Sequence, residues 1–307
     1  MAASGRTIFV TGATGLLGSQ LCASLIARGD RVLAHRRGPI PESASPALTW
    51  LGGDLCEEGD WQAALVEADA VVHLAGAPIA KGRWTRARKQ ELRESRIAST
   101  REIAAALARM PRPPATFVCA SASGYYGPRG GEWLDESSGP GDDFLARLCV
   151  DWEAAALTAR RSDVRVAVLR FGAILSRRGG LLARVLRPFR LGVGGALGPS
   201  DRYLPWIHEA DAVGLIEWAL AAGPGRDGAL NAVAPDAITM GQWTATLARV
   251  LGRPALLPLP TFALRLALGE MGVALVPGQR MAPRAALAGG YTFLHPALEE
   301  ALRALLD

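Results

Sequence analysis

Thr7-Ile8-Phe9-Val10-Thr11-Gly12-Ala13-Thr14-Gly15-Leu16-Leu17-Gly18 is the stretch that decides the fold of this chain. Its β-branched and aromatic start reads as a strand over Thr7–Thr11, and the apolar spacing that follows reads as a helix over Leu16–Arg28. Glycines fill the turn between them. There Gly12 permits a tight turn, Gly15 lets a ligand approach the backbone, and Gly18 lets helix pack close to strand. The helix N-terminus offers free N–H groups and the positive end of its dipole, which suits a diphosphate. A glycine triplet alone is a weak signal, but strand on one side and helix on the other make it a dinucleotide-binding turn. Thr11, Gly12, Thr14, Gly15, Leu16 and Leu17 are the expected contacts.

The end of the next strand selects the dinucleotide. It reads Ala34-His35-Arg36-Arg37-Gly38, and no acid lies between Arg31 and Pro41. An NAD site places an acid here for the ribose 2′-hydroxyl. Arg36 and Arg37 stand instead where a 2′-phosphate would, each charge-assisted contact being worth roughly 1.5–3 kcal/mol. NADP is the expected cofactor; solvated surface arginines are the competing reading, because this chain uses arginine everywhere. Asp54, after the third strand, either bonds the adenine amino group or caps its own loop. Leu74, Ala75 and Gly76 close the fourth strand, where small residues let a ribose approach the backbone.

Working outward, short β-branched runs alternate with amphipathic helices, as in a parallel sheet with crossover helices. Strands are expected at Val32–His35, Leu48–Leu51, Ala70–Leu74, Thr116–Ala120 and Arg165–Leu169, with long helices over Thr85–Met110 and Leu145–Arg161. Pro111, Pro113 and Pro114 end the first of these helices. The fold class is therefore α/β, a Rossmann-type doubly wound parallel sheet with a smaller C-terminal substrate-side subdomain. Residues 1–170 form the expected dinucleotide-binding core. Residues 171–307 cap the substrate side, with helices at Glu209–Ala222 and Met240–Leu251 and with pieces free to return to the sheet.

Composition narrows the function classes. The net charge is +5, and Lys81 and Lys89 are the only lysines. Acidic residues are interspersed among the arginines, which argues against a nucleic-acid surface. Cys22, Cys56, Cys119 and Cys149 are scattered, and the four histidines form no ligand pattern, so neither disulfides nor a metal is expected. The N-terminus has no apolar signal region. The most apolar stretch, Ala255–Val276, is broken by Pro258, Pro260, Arg265, Gly269 and Glu270, and reads as a packed amphipathic helix rather than a membrane contact. These features point to a cytoplasmic protein with a small-molecule substrate and no membrane partner; they specify no oligomeric state.

Several further segments carry a family resemblance. They include Arg83-Trp84-Thr85, Ser95-Arg96-Ile97, Gly124-Tyr125-Tyr126-Gly127, Gly141-Asp142-Asp143-Phe144, Asp151-Trp152-Glu153, Trp206-Ile207-His208 and Gly278-Gln279-Arg280. With the glycine turn, they resemble the extended short-chain dehydrogenase/reductase superfamily. The likeness is specific to a divergent branch of NAD-dependent epimerase/dehydratase proteins known as epimerase family proteins. The resemblance implies cofactor contacts at His35, Arg36, Leu74, Ala75, Glu91 and Arg96. Helical spacing puts Glu91 and Ser95 on one face with Arg96 beside them; a surface helix charge is the other reading of Glu91.

Typical members of that superfamily carry Tyr-x-x-x-Lys, whose lysine lowers the pKa of the acid/base tyrosine. This chain has no such pair: Tyr125, Tyr126, Tyr203 and Tyr291 all lack a lysine four residues on. The helix that should hold it contains Cys149, Asp151 and Glu153 instead. Ser121 resembles the serine that bonds the reacting oxygen, with Ser123 as the fallback. Tyr125 with Arg129 imitates the lost pair in spacing alone. His208 matches a segment that closes over substrate and reads equally as a structural histidine. Two function classes remain: an NADP-dependent oxidoreductase or epimerase with relocated acid/base groups, and an NADP-binding sensor or interaction protein.

Overall fold

The computed structural model describes residues 5–43, 45–255, 257, 260–274 and 278–307. Its first part runs β1 (Thr7–Thr11), α1 (Leu16–Ala27), β2 (Arg31–His35), β3 (Leu48–Leu51), α2 (Trp61–Ala64) and β4 (Ala70–His73). Then come α3 (Arg86–Arg93), α4 (Ser99–Arg109), β5 (Thr116–Ala122), β6 (Trp133–Leu134), α5 (Phe144–Leu157) and β7 (Arg165–Phe171). Next are β8 (Ala173–Leu175), α6 (Gly180–Arg190), β9 (Tyr203–Leu204), β10 (Trp206–His208), α7 (Glu209–Leu220) and β11 (Gly228–Ala232). The chain ends with β12 (Ile238–Thr239), α8 (Met240–Leu251), α9 (Thr261–Leu268), α10 (Glu270–Ala274), β13 (Arg280–Met281), α11 (Arg284–Ala288) and α12 (Leu298–Leu306).

Seven parallel strands form the central sheet in the order β11-β7-β5-β4-β1-β2-β3. The winding direction reverses between β1 and β4, and ligands of such sheets bind outside the strand C-termini at that reversal. Thr11 pairs in register with His35 on one side and His73 on the other, so three strand ends open on the crevice at one level.

Strand alternation explains the two layers. Ile8 and Val10 point to the face covered by α1 and α7, where Leu21, Leu25, Leu215 and Ile216 are buried. Phe9 points to the opposite face, against Trp61, Ile103, Leu107 and Trp152. The last strand of the sheet, β11, comes from beyond residue 170 and pairs with β7. A third cluster joins α6, α8 and α12 through Phe189, Trp243 and Leu302.

Two segments differ from the sequence reading. The helix expected over Thr85–Met110 starts with Thr85 capping the Arg88 N–H and runs to Arg109, but it widens to a π turn over Glu94–Ala98. In that turn Ser95 Oγ accepts from the Ala77 N–H, and Ser99 Oγ donates to the backbone carbonyls of the same turn. One inserted residue rotates the helix that follows by about 100°, so the regular spacing expected along this helix is interrupted at Ser95 and Arg96. Between Ala255 and Val276 the single expected helix is instead α9 and α10, with Phe262 and Leu266 exposed. Leu256, Pro258, Leu259 and 275–277 in that stretch lie outside the described residues. Among the described residues, no helix is long and apolar enough to cross a membrane.

Candidate functional site

The glycine turn is held by contacts that no side chain could share. Gly12 has φ +66°, and a Cβ there would lie 2.8 Å from the Leu74 carbonyl. A Cβ on Gly18 would lie 2.1 Å from the Gly12 oxygen, so Gly18 serves the turn itself. Gly15 differs: its Cβ would meet only the Gly12 oxygen, at 3.0 Å, and its outer side faces the crevice. Gly15 also N-caps α1, which has no side-chain cap and no acid in its first turn. An N-terminus in that state is suited to an anion.

Two cavities meet at this turn, and Gly12, Gly15 and Leu74 line both. The outer one, about 300 Å³, is walled by Thr14, His35, Arg36, Arg37, Asp54, Ala75, Gly76 and Ser95. Half-buried Arg36 is on that wall, with a buried Nε that has no hydrogen-bond partner, and the His35 imidazole sits against the Gly53 backbone. Burial holds the His35 pKa below the usual histidine value. Asp54 Oδ1 accepts from the Cys56 N–H at 2.9 Å, so the loop-cap role is present while Asp54 also lines the cavity. Thr11 is fully buried and lines neither cavity. Its hydroxyl accepts from the Leu74 and Ala75 N–H groups and lies 2.7 Å from His73 Nδ1, which locks strand ends rather than offering a ligand contact. Burial pushes the His73 pKa down to about 3, so that imidazole is neutral.

The inner cavity, about 470 Å³, continues past Leu16 and Leu17 to the end of β5. Ser121, Ser123 and Cys149 line it. Beneath lies a buried ionic network. Ser121 donates to Glu153 Oε1 at 2.6 Å, and Glu153 receives Arg170 Nε at 2.9 Å and Nη2 at 2.8 Å. Arg170 Nη1 donates to Tyr126 Oη at 2.8 Å, and that hydroxyl lies 2.7 Å from Asn231 Oδ1. The register pairs Ser121 with Arg170 across β5 and β7, which is why both strands run two residues past the expected ends. The sequence names Glu153 in a family segment and on the helix without a role, and assigns none to Arg170; the signal for the latter is a charged residue at the end of an apolar strand.

Chemistry at this floor is directional. A hydroxyl has one hydrogen, and Ser121 commits it to Glu153, so toward the cavity its oxygen accepts. Cys149 is buried, and desolvation pushes its thiol up to about 12, leaving it protonated rather than nucleophilic. Arg96 also lines the inner cavity; its Nη1 and Nη2 donate to the Leu92 and Ala77 carbonyls, and it lies 5.3 Å above the Trp152 ring. Ser95 and Arg96, adjacent in the π turn, thus serve one cavity each.

Three expected residues stand elsewhere. Tyr125 lines neither cavity; its ring lies 3.5 Å beneath the Arg170 guanidinium, and Arg129 pairs with Glu132, so the two form no tyrosine–cation couple. Glu91 is exposed, pairs with Arg88 at 2.5 Å and lines neither cavity. His208 N-caps α7 and packs 3.9 Å from the His295 ring, also outside the cavities. Among the described residues no cluster of histidine, cysteine or carboxylate could hold a metal.

The model of the NAD dependent epimerase/dehydratase family matches residues 8–231, and a domain of unknown function, DUF1731, matches 259–305. The chain is 38% identical to the Arabidopsis thaliana epimerase family protein SDR39U1 homolog, described as chloroplastic, over 99% of this chain and 88% of that one. It is 40% identical to the epimerase family protein Mb2239 of Mycobacterium bovis, over 96% of each. The crystal structure of human epimerase family protein SDR39U1 with NADPH superposes with a TM-score of 0.85 at 34% identity, covering 97% of this chain and 98% of that one. The chain belongs to the NAD dependent epimerase/dehydratase family, in the branch of epimerase family proteins that includes SDR39U1.

Proposed function

We propose that this chain binds NADP(H) along the crevice and acts on a small molecule in the inner cavity, as an oxidoreductase or epimerase without a tyrosine–lysine pair. The observation that carries the reading is the pair of cavities meeting at an uncapped helix N-terminus, with Arg36 and Arg37 on the wall of the outer one. The residues fit the cofactor. The N–H groups at the start of α1 would hold the diphosphate, Arg36 and Arg37 the 2′-phosphate, and Gly76 and Ala75 would admit the adenosine ribose. Bound there, the nicotinamide would supply hydride transfer at a carbon beside Ser121. The NADPH in the human relative supports this choice.

NADPH is expected to bind at least about tenfold more tightly than NADH, one charge-assisted contact's worth. Calorimetry on the parent and on the Arg36→Ala/Arg37→Ala double variant checks this. The variant should lose most of the preference, and equal affinities in the parent would overturn the assignment.

Ser121 orients a substrate hydroxyl by accepting its hydrogen, while Glu153, clamped by Arg170, holds Ser121 in place. Among the described residues no histidine, tyrosine or carboxylate lines the inner cavity, so proton exchange falls to water entering the cleft. Positioned acid/base groups contribute about 10²–10⁴-fold, so turnover should be slow. Ser121→Ala should lower it further, by about tenfold, the equivalent of one hydrogen bond. NADPH formed from NADP+, followed at its near-ultraviolet band with aryl alcohols and sugar nucleotides as hydroxyl-bearing substrates, reads both effects. Rapid turnover, or turnover indifferent to Ser121, would place the chemistry elsewhere. The same bare wall favours the second reading, an NADP-binding sensor, and a protein that binds NADPH but turns over none of these substrates would support it.

A further inference from the structure

The inner cavity has an unequal lining. Ile79, Leu145, Leu148, Trp152, Phe171 and Ile174 supply most of its wall, and Arg96 is its one charged residue among those described. Two of the five N–H donors of Arg96 are already given to backbone carbonyls, and one guanidinium is a single charge against the two of a second diphosphate beside that of the dinucleotide. A doubly charged group without paired cations is costly in such surroundings. The space is also modest: about 470 Å³ lies near the lower end of the range for ligand pockets, roughly 300–1,000 Å³, and the nicotinamide takes part of it.

Three uncharged polar side chains, Ser121, Ser123 and Gln279, break the apolar wall, and the first and last already donate within the protein. Ser121 gives its hydrogen to Glu153. Gln279, delivered by the segment before β13, donates Nε2 to the Gly127 carbonyl at 3.1 Å, which leaves its own amide oxygen as an acceptor at the cavity. We infer that the substrate is an uncharged, largely apolar molecule bearing a hydroxyl, and not a nucleoside-diphosphate sugar. The hydroxyl donates to Ser121 or Gln279 while its carbon skeleton covers Leu148, Phe171 and Ile174. This inference rests on the proposal that the dinucleotide fills the rest of the crevice.

The test uses the full chain loaded with NADP+, after its own titration, with three probes: 1-indanol, its hydrocarbon parent indane, and UDP-glucose. Indanol at ten times its Kd should raise the melting temperature by about 3 °C, indane should bind more weakly, and UDP-glucose should give no shift. Ile174→Asp, which puts a charge on the apolar wall, should weaken indanol by at least about tenfold. Ser121→Ala or Gln279→Leu, whichever removes the acceptor used, should erase the preference for indanol over indane, and a preference that persists in the double variant overturns the inference. Tighter binding of UDP-glucose than of indanol, or no binding of indanol, overturns the inference alone. A protein that binds no NADP+ defeats the cofactor reading and this inference with it.

Discussion

Glu153→Ala is expected to destabilise the protein by about 3–5 kcal/mol, the cost of breaking a buried ion pair from one side. The Arg170 side chain is 5% exposed and that of Glu153 8%. Burial works to lower the Arg170 pKa, and the paired hydrogen bonds that it donates to the Glu153 carboxylate outweigh it and hold that pKa above its ordinary value. Without the carboxylate, a guanidinium stays inside the fold between two tyrosines and a serine. Urea unfolding of parent and variant reads the difference. The double variant Glu153→Leu/Arg170→Leu should recover a large part of the loss, because the unpaired charge is gone. A single-variant cost below about 1 kcal/mol, the level of an exposed pair, would mean that water reaches the network.

The second large effect separates binding from folding. Gly15→Val should leave the fold intact and weaken NADPH by about two decades, the equivalent of one or two lost charge-assisted bonds at the diphosphate. The added Cβ meets one protein atom at 3.0 Å, and the φ of −76° suits any residue. The branched side chain then occupies the space where the diphosphate must approach the backbone. Gly18→Val is the contrasting case: its Cβ would lie 2.1 Å from the Gly12 oxygen, so folding itself should suffer. Thermal denaturation with and without NADPH distinguishes the two. A Gly15→Val protein that folds and still shifts its melting temperature as the parent does would place the phosphate site elsewhere.

The crevice was legible because its residues are neighbours in sequence. Gly12, Gly15, Leu16 and Leu17 lie on one turn, and His35, Arg36 and Leu74 lie at strand ends that a parallel sheet must bring level. Glu91, implied by the resemblance alone, stands on the exposed face of its helix paired with Arg88, and the π turn after it has no periodicity signature in the sequence. Tyr125 was misplaced for a long-range reason. Its spacing to Arg129 imitated a catalytic pair, but it sits on a 3₁₀ turn whose ring is covered by Arg170, 45 residues on.

The sequence by itself determined the parallel sheet, the dinucleotide turn, the arginines beside the second strand and the loss of the tyrosine–lysine pair. Each of these is written in a run of a few residues, where periodicity, glycine geometry and charge act locally. Only the tertiary structure decided that Ser121, Glu153, Arg170, Tyr126 and Asn231 form one buried network, and that Ser121 therefore accepts rather than donates at the cavity. Those residues come from β5, α5, β7, β11 and a 3₁₀ turn. The direction of a hydroxyl's single hydrogen depends on which acceptor the fold sets beside it, and spacing along the chain carries no record of that.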